Sequence, residues 1–312
     1  MTEIERLIEE KSLPLEFLNA EDRCGYEIST EIKKIWALQI DLYKQVEKIC
    51  DRHGLKCFAV GGTAIGAVRH KGMIPWDDDL DIALPRPDYN LFLEYAQKEL
   101  EQPYFLQTVL TDPVFFRPHA MLRNSNTTCV GKWDQHCKCN NGIYIDIFPL
   151  DGFVDNKECH SYIQRHKFMN QLGMNNYRWK SAKNQKLKRV IVRLVSLLHY
   201  PGGNKQIYLR HEAECKDFPY NDYEIVGIHF CHFLQKLPKI TWRKEIFDSV
   251  VKLPFEYTDI YLPVGYDEML RKQFGDYMQF PPVETRGNKH LLEYAPDIPY
   301  KEYCAKKYRV RY

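Results

Sequence analysis

Between Ile28 and His53 the apolar residues recur at steps of three or four, with Ile28, Ile32, Ile35, Leu38, Leu42, Val46 and Ile49 in phase. The spacing predicts an amphipathic helix, and Gly54 supplies its stop signal. The run Cys57-Phe58-Ala59-Val60 has no such period and reads as a short buried strand. It breaks at Gly61-Gly62, after which Thr63 is placed to cap a brief helix reaching Val68. A polar loop over residues 69–76 leads to a second strand, Asp79 to Leu84. Pro87 suits the start of a helix that ends near Leu100. Strand-like stretches follow at Tyr104–Leu110, His119–Leu122 and Gly142–Phe148.

After Asp151 the pattern changes, and residues 157–236 read mainly as helices. Leu187, Val190, Ile191, Leu194, Val195 and Leu198 form an apolar stripe beside Lys186, Lys188, Arg189 and Arg193. That stripe fits a helix packed on the rest of the protein, or one lying on an anionic membrane surface. The remainder is rich in Pro and Tyr, with no internal repeat or linker. The expected organisation is a catalytic core over residues 1–155, with a mainly helical accessory region over 156–312 packed against it.

Composition narrows the function classes. The 312 residues are 44% hydrophobic and 28% charged, ordinary for a globular protein, and the formal charge of +2 gives nucleic-acid binding no support. A polar, acidic start and the lack of any 18-residue apolar run lead us to expect a cytoplasmic chain without a membrane span. The ten cysteines fit reduced thiols. Their one local cluster is Cys129, His136, Cys137 and Cys139, and the tight Cys137-x-Cys139 bite favours free thiols over structural zinc.

The chemistry concentrates in two places. In a strand, Asp77, Asp79 and Asp81 share a face, while Leu80, Ile82 and Leu84 alternate with them. Carboxylates crowded in this way repel one another, and a hard divalent cation, Mg²⁺ or Mn²⁺, removes that cost. Asp146 stands alone in the apolar run Ile143–Phe148. It calls for a partner, which a metal, an arginine or a turn would provide. Gly61 and Gly62 let the backbone approach an anion, with Thr63 and the helix start behind them. Arg69, His70 and Lys71 read either as pyrophosphate clamps or as an exposed basic loop.

Phe58 to Leu84, FAVGGTAIGAVRHKGMIPWDDDLDIAL, resembles the signature of the LicD family, which includes the fukutin-type transferases of the nucleotidyltransferase superfamily. Gly61-Gly62-Thr63, Asp79-x-Asp81 and Asp146 match its Gly-Gly-Ser/Thr, Asp-x-Asp and third Asp. Ile145 to Asp151 match its Ile-Asp-Ile-Phe-Pro-Leu-Asp stretch, and Leu122-Arg123 through Thr127 its Leu-Arg element. Phe274-Gly275-Asp276-Tyr277, Pro281-Pro282 and His290 resemble its downstream elements. The resemblance implies an α/β (α+β) fold, a nucleotidyltransferase-like mixed sheet flanked by helices. It further implies metal-dependent transfer of a phospho-alcohol, phosphocholine or an alditol phosphate, from a CDP-activated donor. The acceptor would be a hydroxyl of a cell-surface glycan, free or lipid-linked: lipopolysaccharide, capsule or teichoic acid. A lipid-linked acceptor would bring the chain to the inner membrane face.

On this reading Asp79, Asp81 and Asp146 are the metal-holding catalytic acids. Gly61, Gly62, Thr63, Arg69 and His70 bind phosphate, with Trp76, Asp77, Arg123 and His290 as further candidates. The same acids would also serve an enzyme that moves the nucleotidyl group itself. A non-catalytic glycan- or nucleotide-binding protein is the third reading, and intact acids argue against it.

Overall fold

The helix expected from Ile28 sits third in a series that opens with α1 (Glu3–Glu9) and the hairpin β1 (Glu21–Arg23) and β2 (Tyr26–Ile28). It is α2 (Thr30–His53). Ser29 Oγ accepts from the Ile32 N–H at 3.4 Å at its start, and Gly54 ends it at φ +65°, a left-handed turn that glycine enters without strain. Its apolar face is the centre of the core, with Ile35, Trp36, Leu38, Leu42, Tyr43 and Val46 all at 1% exposure or less. The chain is described here from a computed structural model over residues 1–131, 134–177, 186–228, 239–287 and 293–312.

After α2 come β3 (Phe58–Ala59), α3 (Gly61–Ile65), β4 (Asp81–Pro85) and α4 (Arg86–Glu99). Next are β5 (Tyr104–Gln107), β6 (Ala120–Asn124), β7 (Thr128–Val130) and β8 (Ile143–Phe153). Helices α5 (Lys157–Tyr177), α6 (Lys186–His199) and α7 (Gly203–Cys215) follow. The chain closes with β9 (Ile225–Gly227), β10 (Thr241–Arg243), the hairpin β11 (Val250–Phe255) and β12 (Thr258–Pro263), α8 (Tyr266–Phe274), β13 (Glu293–Ala295) and α9 (Tyr300–Tyr308). The fold is mixed α/β, and its main sheet curls into a half-barrel.

Seven strands make that sheet. The path β10-β9-β8-β4-β3 is joined by β6, which pairs with both β8 and β5. β4 runs parallel to β8, while β3, β6 and β9 pair antiparallel to their neighbours. Because Asp146 and Ile147 pair with β4 and β6 at once, β4 holds one edge of β8 and β6 the other. β9 then takes that second edge further along, at Asp151–Phe153. This explains why β8 runs five residues past the strand read from Gly142–Phe148 (to Phe153 rather than Phe148): its partner there comes from residues 225–227, distant in sequence.

A bidentate ion pair fixes the same region. Arg86 donates from Nε and Nη2 to Asp151 Oδ1 and Oδ2 at 2.6 and 2.7 Å, with Asp151 fully buried. It ties the start of α4 to the far end of β8. A second apolar cluster, with Phe115, Phe116, Met121, Met169, Leu172 and Ile207 in it, seats α5 and α7 against the β6 side of the sheet. A Cβ on Gly173 would fall 2.2 Å from the Phe116 ring, so glycine permits that close approach.

Candidate active site

The acids meet where β4 and β8 lie side by side. Asp81 is directly opposite Asp146 in the parallel register, and the Asp146 N–H donates to Leu80 O at 3.0 Å. The regular strand starts at Asp81 rather than Asp79, but this bond carries the pairing back one residue. Asp77 and Asp79 therefore approach on the extended lead-in to β4. Asp77, Asp79, Asp81 and Asp146 all line one cavity of about 510 Å³. Burial pushes the Asp81 carboxyl well above the ordinary carboxylate range, and the charges of Asp79, Asp146 and Asp77 push it further.

Around the Gly61-Gly62 turn the fit is close. Gly61 has φ +59°, and a Cβ there would stand 3.1 Å from Asp81 Oδ2. A Cβ on Gly62 would be 2.7 Å from Asp77 Oδ2. The glycines thus leave a cradle against the carboxylates that any side chain would fill. Thr63 acts differently from a helix cap. α3 already begins at Gly61, and Thr63 Oγ1 accepts from the Asp81 N–H at 2.8 Å, fixing the start of β4. The α2 helix holds the acidic segment from behind. Trp36 Nε1 donates to Asp77 O at 3.3 Å, and buried Gln39 donates to Asp78 O at 2.9 Å and to Tyr144 O at 3.4 Å.

The expected clamps lie elsewhere. Arg69 donates from Nη1 to Tyr277 O and Gln279 O at 2.6 and 3.0 Å, fastening the segment after α8. Its guanidinium lies over the Phe280 ring, which His70 also stacks on. Trp76 completes that group with Arg286 over its face at 4.5 Å. Arg123, buried on β6, donates to Gln107 Oε1 and Gly142 O and lies 4.7 Å from the Tyr144 ring centre. None of these four lines the cavity. His290 lies outside the described residues. Of the cysteine cluster, Cys137 donates to Tyr177 O and Cys139 to Asn141 Oδ1, while His136 rests edge-on against Tyr308.

The cavity draws on residues the sequence reading passed over. His119, just before β6, contacts Asp146 Oδ1 through Nε2 at 2.8 Å. Arg117, Tyr144, Asn170 and Lys239 also line it, as do Met121, Phe148 and Phe274. His119 was partly within reach of sequence reasoning, since it alternates with Met121 in the strand-like stretch His119–Leu122, but nothing local pairs that stretch with the one bearing Asp146. Arg117, Asn170 and Lys239 were not, because their approach depends on how residues 109–117, α5 and the lead-in to β10 pack.

Chemically, one side of the cavity offers only carboxylate oxygens with a glycine backbone beside them. Asp77, Asp79, Asp81 and Asp146 supply those oxygens, and Asp77 and Asp79 lie with buried Asp78 in a trio whose oxygens are within 4.8 Å of one another. This donor set fits a hard divalent cation such as Mg²⁺ or Mn²⁺ and is a poor match for zinc. A phosphate carried by that cation would meet the Gly61-Gly62 backbone.

A family model for the LicD/FKTN/FKRP nucleotidyltransferase domain matches residues 54–182, the span that holds both glycines and all of these acids. The chain is 27% identical over 251 residues to lipopolysaccharide cholinephosphotransferase LicD of Haemophilus influenzae, covering 78% of this chain and 90% of that protein. It is also 28% identical over 114 residues to uncharacterized protein RP689 of Rickettsia prowazekii, covering 36% of this chain and 39% of that one.

Proposed function

The chain belongs to the LicD family through residues 54–182, and on that premise we propose that it transfers a phospho-alcohol from a CDP-activated donor to a glycan hydroxyl. The observation that carries this is the register of Asp81 against Asp146, with Asp77 and Asp79 in the same cavity beside a glycine cradle. Phosphocholine is the first candidate group and lipopolysaccharide the first acceptor, by similarity to a lipopolysaccharide cholinephosphotransferase that matches over 90% of its length.

In this reading Asp79, Asp81 and Asp146 hold Mg²⁺ or Mn²⁺, which supplies positive charge at the pyrophosphate. The Gly61 and Gly62 backbone admits the phosphate oxygens, and Thr63 keeps Asp81 in place. His119 ties down one oxygen of Asp146. The apolar cavity surface formed by Met121, Phe148 and Phe274 excludes water from the transferring group.

The reading includes a cytoplasmic location and contact of α6 with the inner membrane face. No helix among the described residues is long and apolar enough to cross a membrane. On α6, Val190, Ile191, Leu194, Leu197 and Leu198 are 45–80% exposed, in a sequence that also carries Lys186, Lys188, Arg189 and Arg193.

CDP-choline labelled separately in its cytidylyl and phosphocholine halves tests the proposal. The phosphocholine half should reach the acceptor, EDTA should stop the reaction and Mg²⁺ restore it. Asp81→Asn should lower the rate by more than about 10²-fold. Arrival of the cytidylyl half would establish nucleotidyl transfer instead. Nucleotide binding that is indifferent both to metal and to an Asp79→Asn/Asp81→Asn replacement would mark a non-catalytic binder.

A further inference from the structure

Charge in the cavity is polarised across the sheet. Asp77, Asp79 and Asp81 come from the β4 side of β8, and Asp146 from β8 itself. The cations lie toward the other edge. Arg117 precedes β6, which pairs along that edge, and Lys239 precedes β10, which continues the sheet beyond β9.

Arg117 is partly buried, and its partners leave its charge without a close counterion. Nη1 donates to Phe116 O at 3.0 Å and toward Met174 Sδ at 3.4 Å, and the guanidinium lies 5.6 and 5.5 Å from the Phe115 and Tyr177 ring centres. Among the described residues it forms no ion pair with a carboxylate, and the stretches outside them contain neither Asp nor Glu. The acid whose field acts on it most is Asp134, and Asp134 Oδ1 already accepts from the Tyr177 hydroxyl at 2.6 Å. A guanidinium held in this way between aromatic rings at a cavity wall is preorganised for an anionic ligand. Lys239 is exposed at the same cavity. Asn170 and Met174 are one turn apart on α5, so the helix that contacts Arg117 also lines the pocket.

We propose that Arg117, together with Lys239 at the same cavity, is the phosphate-holding wall of the pocket and grips the nucleoside monophosphate that leaves. This rests on the transferase reading above. In that reaction the acceptor oxygen bonds to the phosphorus of the phospho-alcohol, and the bridging P–O bond breaks. Its electron pair goes to the departing nucleotide, and the hydroxyl proton goes to solvent. The leaving phosphate therefore gains one negative charge at the edge of the pocket where the cations lie. A guanidinium there stabilises the leaving group more than the bound donor, which is the property that raises rate as well as affinity.

The test is calorimetric titration of the full chain with CMP, and separately with inorganic pyrophosphate, each with Mg²⁺. Arg117→Gln should weaken CMP binding about 10- to 100-fold, as loss of a charge-assisted hydrogen bond does, with Arg117→Lys and Lys239→Gln intermediate. KM for the glycan should stay unchanged. Equal CMP affinity in wild type and Arg117→Gln overturns the inference, and so does a raised glycan KM with CMP affinity unaltered, which would assign the wall to an anionic group of the acceptor. Pyrophosphate separates the two levels. Arg117-dependent pyrophosphate binding without CMP binding keeps the anion wall and sinks the cytidine-donor reading. A thermal melt checks that Arg117→Gln folds, and if it does not, Lys239→Gln at its exposed position gives the answer.

Discussion

His70 shows how a residue chosen for chemistry can instead report on packing. Burial, followed by the charges of Arg69 and Arg23, lowers its imidazole from the ordinary value near 6.5 to about 4. The native state therefore binds fewer protons than the unfolded chain between those values, and stability falls as pH drops through that window. Denaturation midpoints measured from pH 7 to pH 4 should decline in the wild type, with a flatter slope for His70→Gln. An unchanged slope would show that the ring takes up its proton freely. Arg69 and His70 were legible as functional candidates because basic residues between a glycine turn and an acidic strand suggest an anion clamp. What sequence could not reveal is that carbonyls at 277 and 279 and the Phe280 ring occupy them. Those partners lie more than 200 residues away, and no local pattern points to them.

At the level of single elements, local signals performed well where the element is fixed by its own neighbours. α2 follows its apolar period and its glycine stop, and α4 begins at Arg86 with Pro87 in its first turn. Strands fared differently. Tyr104–Leu110 shrinks to Tyr104–Gln107, because Thr111 Oγ1 accepts from the Thr108 N–H at 2.8 Å and turns the chain away. β8 lengthens for the opposite reason, a partner supplied from afar. The acids themselves were readable, since alternation with Leu80 and Ile82 gives their face. Their meeting with Asp146 needed the parallel pairing of β4 and β8, which alternation does not encode. The Arg86–Asp151 pair is the element-scale lock on this arrangement. Arg86→Met would leave the buried Asp151 carboxylate without its bidentate partner, and a loss of about 3–5 kcal/mol is expected in urea unfolding. A loss under about 1 kcal/mol would mean that other donors or water take over.

Over the whole molecule, the helices of the second half cover the β6 side of the sheet while residues 225–227 and 241–243 extend it. Cutting the chain after residue 155 would strip β9 from β8 and leave the second apolar cluster without α5 and α7. The 1–155 fragment is expected to be insoluble or to unfold without cooperativity, as judged by its soluble yield and thermal melt. A soluble fragment with a sharp transition would establish 1–155 as an autonomous unit. β8 therefore has a bearing on how such an enzyme diversifies. With Asp146 near one end and the seam to β9 at the other, the strand couples the acid-lined cavity to the later part of the chain within seven residues. Halves joined through the middle of a sheet cannot be traded like cassettes. New donor preferences would have to arise through side-chain changes on α5 and around β10, while the backbone seam stays as it is.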